Sequence, residues 1–161
     1  MAPSRKPRHS DHDHARCVSA ALQAASQLCE RTGQRLTPIR RRVLELVWSS
    51  HQPIGAYAIL DRLKDGNRRA APPTVYRALE FLLARGLVHR IESLNAFIGC
   101  PAPDGEHPVQ FLICRSCGST AELDDRRVDA VLAKSAAARG FAVERRVIEL
   151  SGLCQRCQTH A

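Results

Sequence analysis

Four of the chain's seven cysteines stand as two Cys-x-x-Cys pairs, Cys114/Cys117 and Cys154/Cys157. Two intervening residues suit a tight knuckle that turns both sulfurs toward one ion. Two such knuckles supply the closed tetrahedral four-thiolate set of a structural Zn2+. The 36 residues between the pairs, 118–153, exceed the usual zinc-ribbon gap, so a folded segment must lie between them. A redox reading would need one pair at the start of a helix in a βαβ unit. A catalytic zinc would keep an open coordination position, and four thiolates leave none. The spacing therefore points to a structural site and away from an enzyme.

A second set of ligand types surrounds the middle of the chain: His89, Cys100, His107 and Glu122. Two imidazoles, one thiolate and one carboxylate make a four-coordinate Zn2+ site, giving two Zn2+ per subunit with the first. His89 falls in the first half and the other three in the second. Metal there would favour one orientation of the two halves, which is how a regulatory site works. Cys17 and Cys29 lack such partners and read as small packed side chains. The tract Asp11-His12-Asp13-His14 could hold a metal weakly but reads first as a solvated tail or helix start.

The elements that must position these residues follow from composition and periodicity. The 161 residues are 44% hydrophobic but only 4% aromatic, which suits small aliphatic helical units. A net charge of +8 points to a polyanionic partner, nucleic acid before an anionic membrane. No apolar run approaches the roughly 18 residues of a membrane span, and residues 1–14 lack the apolar core of a secretory signal. An odd number of cysteines without an export signal implies reduced thiols in the cytoplasm.

Residues 15–31 read as an amphipathic helix stopped at Gly33, after a disordered extension at 1–14. Thr37 and Pro38 are the N-cap and first position of a second helix with Ile39, Val43, Leu46 and Val47 on one face. Arg40, Arg41 and Arg42 fan around its start. Residues 51–55 break the chain before a short helix at 56–64 that buries Ile59, Leu60 and Leu63. A fourth helix spans about 73–85. On it Val75, Leu79, Leu82 and Gly86 cluster, Arg77 lies nearly opposite, and Thr74 and Phe81 flank Arg77. Residues 87–92 and 96–99 form a two-stranded hairpin. Helices followed by a hairpin give the order of a winged helix-turn-helix, a nucleic-acid-binding unit, over residues 15–94.

The remaining residues, 95–161, read as a small α/β unit. Strands are predicted at 109–114, 119–123 and 141–150. A helix from Asp124-Asp125 to Arg139 is expected to bury Val128, Val131 and Leu132. The fold class is thus α+β, an N-terminal winged helix-turn-helix followed by an α/β unit with a four-cysteine zinc site.

Five segments carry a resemblance: Arg35-Leu36-Thr37-Pro38; Pro72-Pro73-Thr74-Val75-Tyr76-Arg77-Ala78-Leu79; Gly86-Leu87-Val88-His89; Phe111-Leu112-Ile113-Cys114-Arg115-Ser116-Cys117-Gly118; and Gly152-Leu153-Cys154-x-x-Cys157. Over roughly residues 22–157 the chain resembles the ferric uptake regulator family of metal sensors, most of all its zinc uptake regulator branch. The resemblance implies a homodimeric repressor whose second unit is the dimerisation domain. It also implies a double-stranded DNA operator ahead of zinc-uptake genes, with Zn2+ as corepressor and no small-molecule substrate or membrane. By position it makes Cys114, Cys117, Cys154 and Cys157 the structural site and His89, Cys100, His107 and Glu122 the regulatory site. Tyr57 and Arg77 match base-reading positions, and Thr74, Tyr76, Arg35 and Arg40 complete the expected DNA-binding set. A single His before the first knuckle, with Cys100 as a soft ligand, favours Zn2+ over Fe2+. Two other readings are a sensor of iron, nickel or manganese on the same fold and a zinc-ribbon module that binds only protein.

Overall fold

The computed structural model describes residues 14–50, 52–64, 71–103 and 109–159. The expected N-terminal extension, apart from His14, lies outside them. The chain divides into two compact units, the first carrying the elements up to the hairpin and the second those from Gln110 onward.

In the first unit, α1 (His14–Arg31) is followed by α2 (Pro38–Trp48). Gly33 takes the left-handed conformation that ends α1, with φ of +62°. Thr37 caps α2 as its sequence indicates, its hydroxyl accepting from the Arg40 amide at 3.5 Å. Next come β1 (Ile54–Gly55), α3 (Ala56–Lys64) and α4 (Pro72–Ala84), then β2 (Val88–Ile91) and β3 (Ala96–Gly99). Pro72 and Pro73 both fit the first turn of α4, where an amide would have no helical partner.

The core of this unit is aliphatic, as the low aromatic content requires. Val43, Leu44 and Val47 of α2, Ile59 and Leu63 of α3, Val75, Leu79 and Leu82 of α4, and Val88 of β2 are nearly or wholly buried together. Burying such a side chain contributes roughly 1.5–3 kcal/mol. Two expectations change here. The hairpin is the major part of a three-stranded sheet, because β1 pairs antiparallel with β3 (Ile54 opposite Phe97). Two residues are too short to show alternation, so that strand leaves no signal in the sequence. The boundary expected after residue 94 would also cut β3 from its partners β1 and β2, and the division falls after β3.

The second unit holds β4 (Gln110–Cys114), β5 (Thr120–Glu122), α5 (Arg126–Ala137), β6 (Ile148–Gly152) and α6 (Gln155–Gln158). Its sheet runs β5-β4-β6, with β4 antiparallel to β5 and parallel to β6. Asp125 caps α5, accepting from the Arg127 amide at 2.9 Å and from its guanidinium. Those hydrogen bonds hold the Asp125 carboxyl at about 2. Two readings of this half are corrected. Residues 141–147 are irregular, and only the end of the predicted third strand pairs with the sheet. The α5 stripe is not buried: Val131 and Leu132 are exposed and Val128 half-buried. Periodicity marked the apolar face correctly but cannot say whether this same chain covers it.

Gly99 marks a close approach within the first unit. The Trp48 indole occupies the space that a Cβ at Gly99 would take, whereas Gly55 has open space around it. Gly99→Ala therefore overpacks the contact between α2 and β3 and should cost about 1–3 kcal/mol. Gly55→Ala should leave stability near that of the parent. Chemical denaturation of the two variants side by side checks this; equal midpoints would refute it.

Candidate metal centre and nucleic-acid interface

Both knuckles are made by strand ends. β4 runs into Cys114, and the chain turns back at once into β5. The turn is closed by Gly118 N–H to the Cys114 carbonyl and Cys114 N–H to the Ser119 carbonyl, both at 2.9 Å. Gly118, at φ of +71°, supplies the left-handed residue this turn needs. The second knuckle follows β6: Cys154 is the N-cap of α6 and Cys157 lies on its single turn. Parallel pairing sets Cys114 opposite Gly152, which carries the second knuckle to the first across the intervening 36 residues.

The result is a closed group. The four sulfurs of Cys114, Cys117, Cys154 and Cys157 lie within 4.8 Å of one another, and Cys117 Sγ is 3.8 Å from Cys154 Sγ. A tetrahedron with Zn–S bonds of about 2.3 Å has edges of about 3.8 Å. The donor set and its spacing thus fit a tetrahedral metal. Among the described residues it is the group of three or more potential ligands that the structure gathers.

The thiols are electrostatically unequal. Hydrogen bonds from the Cys117 and Cys154 amides pull Cys114 down to about 6. The Cys154 amide approaches its sulfur at 3.3 Å. Ser119, whose hydroxyl lies 3.2 Å from Cys117 Sγ, also draws Cys117 below its ordinary value. At Cys157 a hydrogen bond with Ser116 pulls down, but Cys154, burial, Cys117 and Cys114 together push it up to about 11. Without a cation, a thiolate in this cluster suppresses its neighbours.

The first unit presents a different surface. Tyr57 on α3 is 72% exposed and Tyr76 on α4 is 43% exposed, while Thr74, Arg77 and Arg35 also face solvent. Val75 and Leu79, beside Arg77 in sequence, are buried, so α4 holds Arg77 outward over a packed base. Arg40 is disposed differently. Its guanidinium lies 3.6 Å from the centre of the Phe81 ring, and its Nη1 donates to the Arg35 carbonyl at 2.6 Å.

Residues 31–151 match the model of the ferric uptake regulator family. The chain belongs to that family. It is 41% identical over 137 residues to the zinc uptake regulation protein of Escherichia coli (strain K12), covering 84% of this chain and 80% of that one. It also superposes on a zinc uptake regulator complexed with zinc and DNA, with a TM-score of 0.84 and 39% identity. That match covers 89% of this chain and 96% of the other. Holo XcZur superposes with a TM-score of 0.80 and 44% identity, over 87% and 98% of the two chains.

Within this member of the family, the second expected ligand set is distributed over both units. His89 lies on β2 opposite Ile98, and Cys100 follows β3, buried, with its amide donating to the Leu87 carbonyl at 3.0 Å. Glu122 ends β5 opposite Phe111 in the second unit. His107 lies outside the described residues. Sequence reasoning missed two contacts that matter here. Ser119 has no pattern that announces its contact with Cys117, and Phe81 is 41 residues from the Arg40 it supports.

The depressed Cys114 value gives a pH expectation with a definite sign. An ionised Cys114 stabilises the metal-free unit fully above pH 9, and that contribution fades as pH falls toward 6. At pH 7.5, metal uptake should release fewer than four protons, because Cys114 has already lost most of its own. Proton release followed with an indicator dye during loading checks this. A release of four would contradict the Cys114 assignment.

Proposed function

We propose that this chain is a zinc-responsive repressor that acts in the cytoplasm as a homodimer, with Zn2+ as corepressor, on DNA operators ahead of zinc-uptake genes. The observation that carries this reading is the likeness, over 89% of the chain, to a zinc uptake regulator complexed with zinc and DNA. The +8 charge and the outward Arg77 support a duplex as partner. Arg77 suits the guanine O6/N7 edge in the major groove, with Tyr57, Thr74, Tyr76 and Arg35 around it. The reading assigns no catalysis, no small-molecule substrate and no membrane.

Zn2+ enters twice per subunit. Cys114, Cys117, Cys154 and Cys157 would hold the structural ion, which neutralises their mutual repulsion and closes the second unit. His89, Cys100, His107 and Glu122 would hold the regulatory ion. Ligands drawn from both units let occupancy favour one arrangement of the winged unit. By linkage, DNA then tightens Zn2+ binding by the factor by which Zn2+ tightens DNA binding. A tenfold response needs only about 1.4 kcal/mol of differential affinity. A homodimer is supported by the apolar surface of the second unit: Leu112 and Leu150 are neighbours across β4 and β6, and both are exposed, as are Val131, Leu132 and Phe141. A second copy of the chain would cover that surface.

The deciding experiment is a DNA-binding titration against buffered free Zn2+. Wild type should gain affinity as zinc rises, whereas His89→Ala and Cys100→Ser should keep fold and dimer yet respond weakly. If Fe2+ induced binding and Zn2+ did not, the zinc assignment would fall. Cys114→Ser should instead unfold the second unit, seen as loss of cooperative melting and of the dimer. Arg77→Ala at fixed salt should weaken specific binding about 5- to 150-fold, equivalent to about 1–3 kcal/mol.

A further inference from the structure

Arg40 has the sequence position of a DNA contact, yet its guanidinium is already engaged within the first unit. Its Cζ is 3.6 Å from the Phe81 centroid, a contact with the electron-rich ring face. Its Nη1 donates to the Arg35 carbonyl at 2.6 Å, and that carbonyl also accepts the Thr37 amide at 3.1 Å. Phe81 stands on α4, one helical turn beyond Arg77, and rests half-buried against the core. A second guanidinium, that of Arg85, lies 5.7 Å from the same ring centre. Arg85 Nε is buried and has no hydrogen-bond partner. The turn before α2 and the C-terminal half of α4 are thus tied through one aromatic ring and one planar cation.

We propose that Arg40 is a positioning residue. By bridging Phe81 and the Arg35 carbonyl, it fixes the turn that carries Arg35 against α4, so that Arg35 and Arg77 meet the duplex as one rigid set. Arg40 itself gives no charge to a phosphate. The inference rests on the nucleic-acid reading above and deepens it. The chemistry demands Arg in particular, because lysine keeps the charge but lacks the planar face and the directed second N–H. A turn held at the Arg35 carbonyl loses less backbone freedom on binding, and the gain appears as affinity without an added ionic contact.

The two roles predict different salt behaviour. A residue that neutralises a phosphate contributes close to one unit to the slope of log affinity against log salt, and a positioning residue contributes none. The test uses the full-length zinc-loaded protein and a duplex selected by the wild type from a random-sequence pool. Phe81→Leu and Arg40→Lys should each lower affinity about three- to tenfold, while Phe81→Tyr, which keeps the ring, should bind as wild type. The slope should be unchanged in Arg40→Gln and fall by about one in Arg35→Ala. In an Arg35→Ala background, Phe81→Leu should cost nothing further, an outcome that general destabilisation would not produce.

A slope lowered by about one in Arg40→Gln would overturn the inference, as would additive losses in the double variant. Wild-type affinity in Phe81→Leu would do the same. Should Phe81→Leu fail to fold, Arg40→Lys in the Arg35→Ala background carries the same comparison. Arg77→Ala separates the two layers. If it loses specific binding while Arg40→Lys does not, only the positioning role fails. If it binds as wild type, the nucleic-acid reading fails.

Discussion

Four sulfurs confined within 4.8 Å cannot all carry charge without a cation between them. That constraint shapes the second unit. Among its described residues only Gln110, Phe111, Ile113, Cys114 and Thr120 are buried, a core too small to hold three strands and a helix by apolar burial alone. The sheet register that sets Cys114 opposite Gly152 places the knuckles, and a bound metal would hold that register in return. Pairing of β4 with β6 is thus what brings the thiol group together. The amides that draw Cys114 down to about 6 prepare a first thiolate for the incoming ion.

The first unit is built on the opposite principle. Its aliphatic core is continuous from α1 to the sheet. This rigid base leaves the outer side of α4 free to be polar. Arg77 and Tyr76 stand out from a helix whose Val75, Leu79 and Leu82 are sealed beneath. The close fit of Trp48 against Gly99 ties α2 to the sheet that carries His89 and precedes Cys100. Any strain applied at the hairpin is therefore shared with the helices rather than absorbed by a loose joint.

Much of this was legible in the sequence, for identifiable reasons. The helix limits followed from Thr37-Pro38, from Pro72-Pro73 and from apolar residues one turn apart, all signals internal to a few residues. The exposure of Arg77 followed from 100° per residue. What failed to show were relations between distant segments. The two-residue β1 exists only because β3 is there to pair with it. The α5 stripe was read as buried because periodicity reports an apolar face and not the identity of what covers it.

The sequence by itself determined the ligand types and the α+β order, because ligand spacing and helical period are properties of neighbouring residues, and its motifs carried the family resemblance. Only the tertiary structure decided that β6 lies parallel to β4, so that two knuckles 36 residues apart share one centre. It alone decided that Arg40 turns inward onto Phe81. Both outcomes depend on which distant segments come into contact, and packing and hydrogen bonding between those segments, rather than local spacing, settle that choice.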